Sequence, residues 1–130
     1  MRYSHDSWSV DLPSGWQVEE STELVSFFHP TGVGSFEVST FFADDGEISI
    51  DDILEFAEVE NPEMVKFDYL SGIHAIEIED GEMIYQWWLS TGNQMIFATY
   101  VCGVGQDSEE KKEREHLIDS LRSFHQDIEG

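Results

Sequence analysis

The side chains that most often carry out chemistry are scattered along this chain. The five histidines and the one cysteine are His5, His29, His74, His116, His125 and Cys102. No two of them have the spacing of a metal-ligand pair, and His116 and His125 would point to opposite sides of a helix. His74 lies among apolar residues, which is typical of a core histidine. A nucleophilic pair of Cys102 with a histidine stays open as an alternative, although no local motif supports it.

The other motifs examined indicate turns and solvated surface. The stretch Asp44-Asp45-Gly46-Glu47 lacks the alternating ligands of a calcium loop. Gly103-Val104-Gly105 carries no basic residue to bind a phosphate, and Ser71-Gly72 is turn chemistry rather than a nucleophile elbow. Carboxylate pairs such as Glu77 and Glu79 arise by chance in so acidic a chain. We therefore predict no catalytic residue, no metal site and no cofactor, and a protein that is not an enzyme.

The charge balance restricts the class of partner. The chain has 6 Lys and Arg against 28 Asp and Glu, a net charge of −22. Such a field repels phosphates and anionic lipid, which argues against nucleic-acid binding and membrane-surface binding. Two interpretations stay open: the field steers a basic protein towards the chain, or it only keeps a small protein in solution.

Composition and length bound the architecture. The 130 residues, 40% of them hydrophobic, suffice for one domain spanning 1–130 with a real core. A single cysteine excludes an internal disulfide and fits a reducing compartment. The start of the chain shows no basic-then-apolar leader, and no apolar run approaches the roughly 20 residues of a membrane span. We therefore expect the protein in the cytoplasm.

Hydrophobic periodicity predicts an antiparallel sheet with two helices. Ser49 and Asp52 form a capping-box-like start for a mid-chain helix, which Asn61-Pro62 would end. Asp107 and Glu110 form a second capping pair, for a final helix reaching Phe124. The fold class is α+β: a twisted antiparallel sheet of about six strands, packed with the mid-chain helix and the C-terminal helix. Strands are predicted at 8–12, 24–29, 35–42, 73–79, 83–90 and 94–102, with extended chain at 16–18 and a further short strand considered at 65–70.

Two hairpins set the predicted register of the long strands. The turn at Asp80-Gly81 places Ile76 opposite Tyr85. We interpret Thr91-Gly92-Asn93 as a three-residue loop, which sets Trp87 opposite Phe97. Side chains alternate between faces, so one face forms a core beneath the C-terminal helix. That face collects Ile76, Ile78, Met83, Tyr85, Trp87, Leu89, Met95, Phe97 and Val101.

The second face of the same strands would form a shallow trough of small residues between large ones. Its width of about three strands suits an α-helix. Either the chain's own helix near residues 49–60 fills the trough, or a partner helix or a second copy of the chain does. In this trough Ala75, Gln86 and Ala98 lie between Ile73, Trp88 and Ile96 on one side and Glu77, Ile84 and Tyr100 on the other. The predicted partner-binding residues are Ala75, Ile84, Gln86, Trp88, Ile96, Ala98 and Tyr100.

The order of elements resembles the PsbP-like, Mog-type fold. The segments that carry the resemblance are WSVDLPSGW, FFHPTGVGSFEVSTFF, IDDILEFAE, GIHAIEIEDG and LIDSLRSF, which together cover nearly the whole chain. The resemblance implies a twisted antiparallel sheet packed with helices, and a non-enzymatic binding protein. Among such proteins, the cytoplasmic adaptor chaperones of type VI secretion are nearest in context, and they hold apolar effector helices on the sheet.

Three functional hypotheses follow from the sequence. The first is a non-catalytic protein-binding module, adaptor-like or chaperone-like, that holds an apolar segment on a sheet face. The second is an immunity-type inhibitor whose acidic surface blocks a basic toxin, with binding that falls as salt rises. The third is a small hydrolase that depends on Cys102 or His74.

Overall fold

A computed structural model of the chain describes residues 1–5, 7–43, 46–67 and 70–123. Asp44 and Asp45 of the acidic loop, and Phe124 and His125 near the C-terminus, lie outside the described residues. Two sheets and two helices make up the described part. The strands are β1 Arg2–Ser4, β2 Trp8–Asp11, β3 Gln17–Glu20, β4 Val25–Phe28, β5 Ser35–Phe42, β6 Glu63–Lys66, β7 Ser71–Glu79, β8 Glu82–Thr91, β9 Gln94–Gly103 and β10 Arg122–Ser123; the helices are α1 Ile50–Ala57 and α2 Lys111–Ser120.

The larger sheet confirms the predicted α+β class and most of the predicted strands. It has seven antiparallel strands in the order β3-β4-β5-β9-β8-β7-β6, rather than about six. The hairpin predicted from β4 and β5 is present, with Phe27 opposite Phe36. A second sheet of three strands, β1-β2-β10, was not predicted. Its outer strands are only three and two residues long, too short to show a period in the sequence.

The main core lies between the large sheet and a layer formed by the small sheet and α2. Trp8 and Val10 of β2 enter it from the small sheet, and Leu117 and Ile118 enter it from α2, as the predicted helix stripe requires. Phe27, Phe36, Trp87 and Leu89 are among the large-sheet residues on this side, which we call face A.

The mid-chain helix begins at its predicted cap and packs on the opposite side of the sheet, face B. It ends earlier than predicted, at Ala57, because Glu58 adopts a left-handed φ of 52° before Asn61-Pro62 is reached. Ser49 and Asp52 form the predicted capping box: Asp52 N donates to Ser49 Oγ at 3.1 Å, and Ser49 N donates to Asp52 Oδ2 at 3.0 Å. Ile53 is its one buried side chain. That side chain packs in a second core cluster with Ile73, Trp88 and Met95.

The C-terminal helix is shorter than predicted. It runs from Lys111 to Ser120, and Leu121 is extended, so that the chain continues into β10 beside β2. The predicted capping pair is wrong, because Glu110 is the N-cap residue and makes no side-chain capping bond. The carboxylate of Glu110 instead accepts a hydrogen bond from Gly34 N at 3.0 Å and another from the Tyr100 hydroxyl.

The predicted register is right for one hairpin and wrong for the other. The Asp80-Gly81 turn pairs Ile76 with Tyr85, as expected. Trp87, however, lies opposite Ala98 instead of Phe97. The connection is a two-residue turn rather than a three-residue loop, since Thr91 and Gln94 are already paired and Gly92 opens the turn with φ 55°. A positive φ at the first central position is typical of a type II′ hairpin turn. The one-residue slip moves every side chain of β9 to the other face.

Candidate protein-binding surface

The register correction divides the predicted partner-binding residues between the two faces. Ile96, Ala98 and Tyr100 lie on face A, within the main core, where at most 1% of each is exposed. Their prediction as surface residues is wrong because it depended on the three-residue loop. The remaining four share face B: Ala75, Ile84, Gln86 and Trp88.

Other residues of β9 lie on face B, and they belong to the side of the strand that the predicted register had placed towards the core. Met95 lies in the second core cluster, and Phe97 stacks on Trp88 with ring centroids 5.1 Å apart. Thr99 lies opposite Gln86, and Val101 lies opposite Ile84. The sequence does contain a signal for the observed register, because Gly92 is suited to the first position of a two-residue turn.

The chain's own helix covers one half of face B. Ile53 of α1 lies against Trp88, and partly buried Ile50 and Ala57 add to the same cluster. Trp88 is therefore only 5% exposed. This part of the predicted trough is internal, so the first of the two sequence alternatives holds there.

The other half of face B carries apolar side chains that belong to neither core cluster. Phe28, Val101 and Ile84 lie in one row across the sheet. Phe28 pairs with Ser35, Ser35 pairs with Val101, and Val101 pairs with Ile84. All three are half-buried, and neither cluster contains them. We call this surface the open strip. Its members are Phe28, Ala75, Ile84, Gln86, Thr99 and Val101.

Carboxylates flank the apolar row of Phe28, Val101 and Ile84, Glu37 from within the strip on β5 and Glu77 from β7. Glu37 lies opposite Thr99, where Ser26 Oγ donates to its Oε2 at 3.0 Å. Glu77 lies opposite Ile84 on the β7 side and is exposed. An apolar surface with an acidic border suits a partner segment that is apolar in its middle and basic at its flanks.

A buried acceptor lies in the same strip. The side-chain oxygen Oε1 of Gln86 has no hydrogen-bond partner in the described part of the chain. The Gln86 residue lines a cavity of about 320 Å³ that Ala75, Val59 and three glutamates also line. Buried carbonyl oxygens are nearly always hydrogen-bonded, and leaving one unpaired costs about 1–3 kcal/mol. A donor from a partner would satisfy it.

An exposed aromatic group lies on the far side of α1. Phe41 and Phe56 have ring centroids 5.6 Å apart, and 43% and 57% of them, respectively, is exposed. With Phe42 they border an apolar cavity of about 260 Å³ above Met95. The turn after β8 holds Ala43, the residue that follows Phe42, because Ala43 N donates to Asn93 O at 2.8 Å. No periodic signal in the sequence distinguishes these rings from core residues.

Tyr100 has a structural position beneath the start of α2. Its hydroxyl donates to Glu110 Oε1, and the guanidinium of Arg114 lies 4.1 Å from the ring centroid of Tyr85. Burial, and then the hydrogen bond to Glu110, raise the pKa of Tyr100 far above its ordinary value. The neutral phenol is thereby kept as a donor that ties α2 to the sheet.

The two residues considered for nucleophilic chemistry have core environments. Cys102 is 2% exposed, and burial raises the pKa of its thiol, which lowers the fraction of reactive thiolate. His74 stacks on Trp87 at 4.7 Å between ring centroids, and its Nδ1 lies 2.8 Å from Gln86 O. No group of three or more His, Cys, Asp or Glu side chains in the described ranges is arranged to hold a metal ion.

Two solved structures resemble this fold. A crystal structure of a protein from Bacteroides thetaiotaomicron aligns with 89% of this chain at a TM-score of 0.70 and 22% identity. The chain spans only 44% of that protein's length. The solution structure of the cyanobacterial PsbP, CyanoP, from Synechocystis aligns with 95% of this chain and 91% of its own, at a TM-score of 0.51 and 12% identity.

The fold is PsbP-like. This agrees with the resemblance inferred from the order of elements, and at these identities the likeness concerns the fold alone. No family model matches the sequence, and no curated protein matches it. Within the described residues of this PsbP-like fold, neither helix has the length and apolar character needed to cross a membrane.

Proposed function

We propose that the protein is a non-catalytic binding module that holds an apolar helix with basic flanks on the open strip of face B. The observation that carries the proposal is the set of apolar side chains Phe28, Ile84 and Val101, which lie outside both cores. The adaptor chaperones of type VI secretion are the setting that this resemblance favours. The role is adaptor-like: the module would shield an apolar segment of another protein from water.

The dimensions of face B support a helical occupant. The apolar row of Phe28, Val101 and Ile84 runs from β4 to β8 across three inter-strand gaps, roughly 14 Å, and a helix with its side chains is about 10–12 Å across. The neighbouring half of the same face already carries α1 against Ile73 and Trp88. A second helix beside α1 would bury the open strip and gain a lateral contact.

Charge supports a partner with basic flanks. Glu37 and Glu77 border the strip, and the whole chain carries a net charge of −22. A second copy of this chain would bring like charges together at the same borders, which is unfavourable. An amide or ammonium donor from the partner would also satisfy Gln86 Oε1.

The experiment replaces apolar groups of the strip with polar groups that are also β-branched. Ile84→Thr with Val101→Thr keeps β-branched side chains in strands β8 and β9 but removes the apolar surface. The probe is a labelled synthetic peptide with a leucine face and lysines at both ends, followed by fluorescence anisotropy. We expect the double variant to bind at least about tenfold more weakly, the effect of losing roughly 1.4 kcal/mol of contact.

A matched control uses an exposed valine away from the strip. Val18 of β3 is 41% exposed and lies opposite Phe27, on face A. Val18→Thr makes the same chemical change there and should leave peptide affinity unchanged. Equal affinity of the double variant and the unmodified protein would overturn the proposal, as would failure of the unmodified protein to bind the peptide.

The acidity also favours a second candidate function, an immunity-type inhibitor of a basic toxin. The supporting observation is the net charge of −22, with 28 acidic residues. Such an inhibitor would bind its target with an affinity that falls steeply between low and physiological salt. The Ile84 and Val101 double variant would retain that binding, so the same variant separates the two functions.

A further inference from the structure

The outer edge of β7 lacks a neighbouring strand over half its length. β6 pairs only with Ser71–His74, whereas β8 pairs with the whole of β7 to Glu79. Beyond His74, therefore, no strand in the described part of the chain covers the outer edge of 75–79. An unpaired strand edge is a template for an additional strand.

The turn at the end of β7 determines which backbone groups face outward. Asp80 and Gly81 have φ of 50° and 81°, the two positive values of a type I′ turn. The flanking pair Glu79 and Glu82 is then hydrogen-bonded, and alternate pairs of an antiparallel ladder follow the same rule. Glu77 therefore bonds to β8, while Ile76 and Ile78 direct N–H and C=O towards the free edge.

The β6 side gives the same alternation independently. Phe67 N donates to Leu70 O at 2.7 Å, next to the pair of Lys66 and Ser71. Counting alternate pairs from this bond makes Glu63 and His74 a hydrogen-bonded pair of β6 and β7. His74 thus faces outward, and Ile76 and Ile78 continue the same series beyond the end of β6.

The side chains along this edge alternate in chemistry as well as in direction. Ile76 and Ile78 lie on face A and are 52% and 65% exposed. Glu77 and Glu79 lie on face B and are exposed. The cavity of about 320 Å³ next to this edge is lined by Glu58, Glu60 and Glu77, together with Gln86.

We propose that the β7 edge binds an extended peptide that alternates apolar and basic residues. The apolar side chains would pack beside Ile76 and Ile78, and the lysines or arginines would face Glu77 and Glu79 across the new ladder. A basic side chain of suitable length reaches the acidic cavity. A second copy of β7 would place glutamates beside glutamates, so charge disfavours self-pairing. This surface adjoins the open strip and shares Glu77 and Gln86 with it, but the backbone groups that it uses are those of Ile76 and Ile78.

Proline substitution tests the role of the backbone directly. Ile78→Pro removes an outward N–H that β8 does not use, whereas Glu77→Pro removes an N–H from the β7–β8 ladder. Ile78→Thr keeps the N–H and removes apolar surface. The probe is a synthetic peptide of alternating valine and lysine, blocked at both ends, with fluorescence anisotropy as the readout. Two control peptides have the same composition in separate valine and lysine blocks, or glutamate in place of lysine.

We expect the alternating valine–lysine peptide to bind, and both control peptides to bind at least tenfold more weakly. Ile78→Pro should weaken binding at least tenfold while its thermal midpoint stays well above that of Glu77→Pro, and Ile78→Thr should have an intermediate effect. Binding that Ile78→Pro leaves unchanged would overturn the proposal, and so would equal affinity for the block peptide. The Ile84 and Val101 double variant should bind this peptide normally, which distinguishes failure here from failure of the proposed function.

Discussion

The assignment of α1 to face B gives a quantitative prediction, because two residues of that helix differ sharply in burial. Ile53 is 1% exposed and packs against Ile73, Trp88 and Met95. Replacing a fully buried isoleucine with alanine removes its transfer free energy and leaves a cavity, at a cost of about 2–5 kcal/mol. We therefore expect Ile53→Ala to lower the free energy of unfolding by that amount.

Phe56 lies three positions further along the same helix and should behave differently. It is 57% exposed, so less than half of the roughly 1.5–3 kcal/mol available from burying a phenylalanine is realised. Its tilted ring contact with Phe41 adds about 0.5 kcal/mol, the lower end for an exposed pair. The better helix propensity of alanine offsets about 0.5 kcal/mol. Phe56→Ala should therefore cost about 1 kcal/mol.

The assay is urea unfolding followed by tryptophan fluorescence, with Trp88 beside the altered site. The two alanine variants should have the same m-value as the unmodified protein, and their free energies of unfolding should differ by more than 1 kcal/mol. If Ile53→Ala costs no more than Phe56→Ala, α1 does not cover Trp88. Face B would then be open along its whole length, and a helix bound on the open strip would gain no lateral contact from α1.

Three further predictions concern polar and reactive groups. Tyr100→Phe removes a donor from the buried Glu110 carboxylate and should cost about 1–3 kcal/mol in urea unfolding, whereas Tyr3→Phe removes a comparable exposed hydrogen bond and should cost less. The pKa of Asp52 is lowered, chiefly by the capping backbone N–H, so its carboxylate stabilises the folded state above the unfolded pKa near 3.8. Asp52→Asn should therefore be less stable than the unmodified protein at neutral pH, and the difference should vanish as pH falls through the folded pKa; a constant difference would contradict this sign. Burial raises the pKa of the Cys102 thiol, so a thiol reagent should modify it slowly until urea unfolds the chain.

Local signals predicted α1 and most of the strands well. Ser49 and Asp52 cap α1 as their spacing predicts, because a capping box requires contacts only within one turn of the chain. The Asp80-Gly81 turn likewise fixed the register of β7 and β8, since both central residues adopt positive φ. The β4–β5 hairpin follows from its own turn and alternation.

The candidate site was predicted only in part, for a reason that lies in one turn. Ala75, Ile84, Gln86 and Trp88 were placed correctly on one face, because the first hairpin determined them. Gly92 allows either a two-residue turn or a longer loop, and the choice reverses every side chain of β9. Alternation could not reveal the error, since β9 carries apolar residues on both sides.

The sequence by itself determined most of the elements of this protein, though not the short strands β1 and β10, and it determined the α+β class and the acidic character. Turn chemistry, capping and periodicity act over a few residues, and charge is additive. The tertiary structure decided which side of β9 enters the core, and that α1 buries Trp88 but leaves Val101 and Ile84 half-buried. It also decided that β6 pairs with only the first part of β7. Those outcomes depend on contacts between segments far apart in the chain, where one residue of register exchanges a buried face for an exposed one.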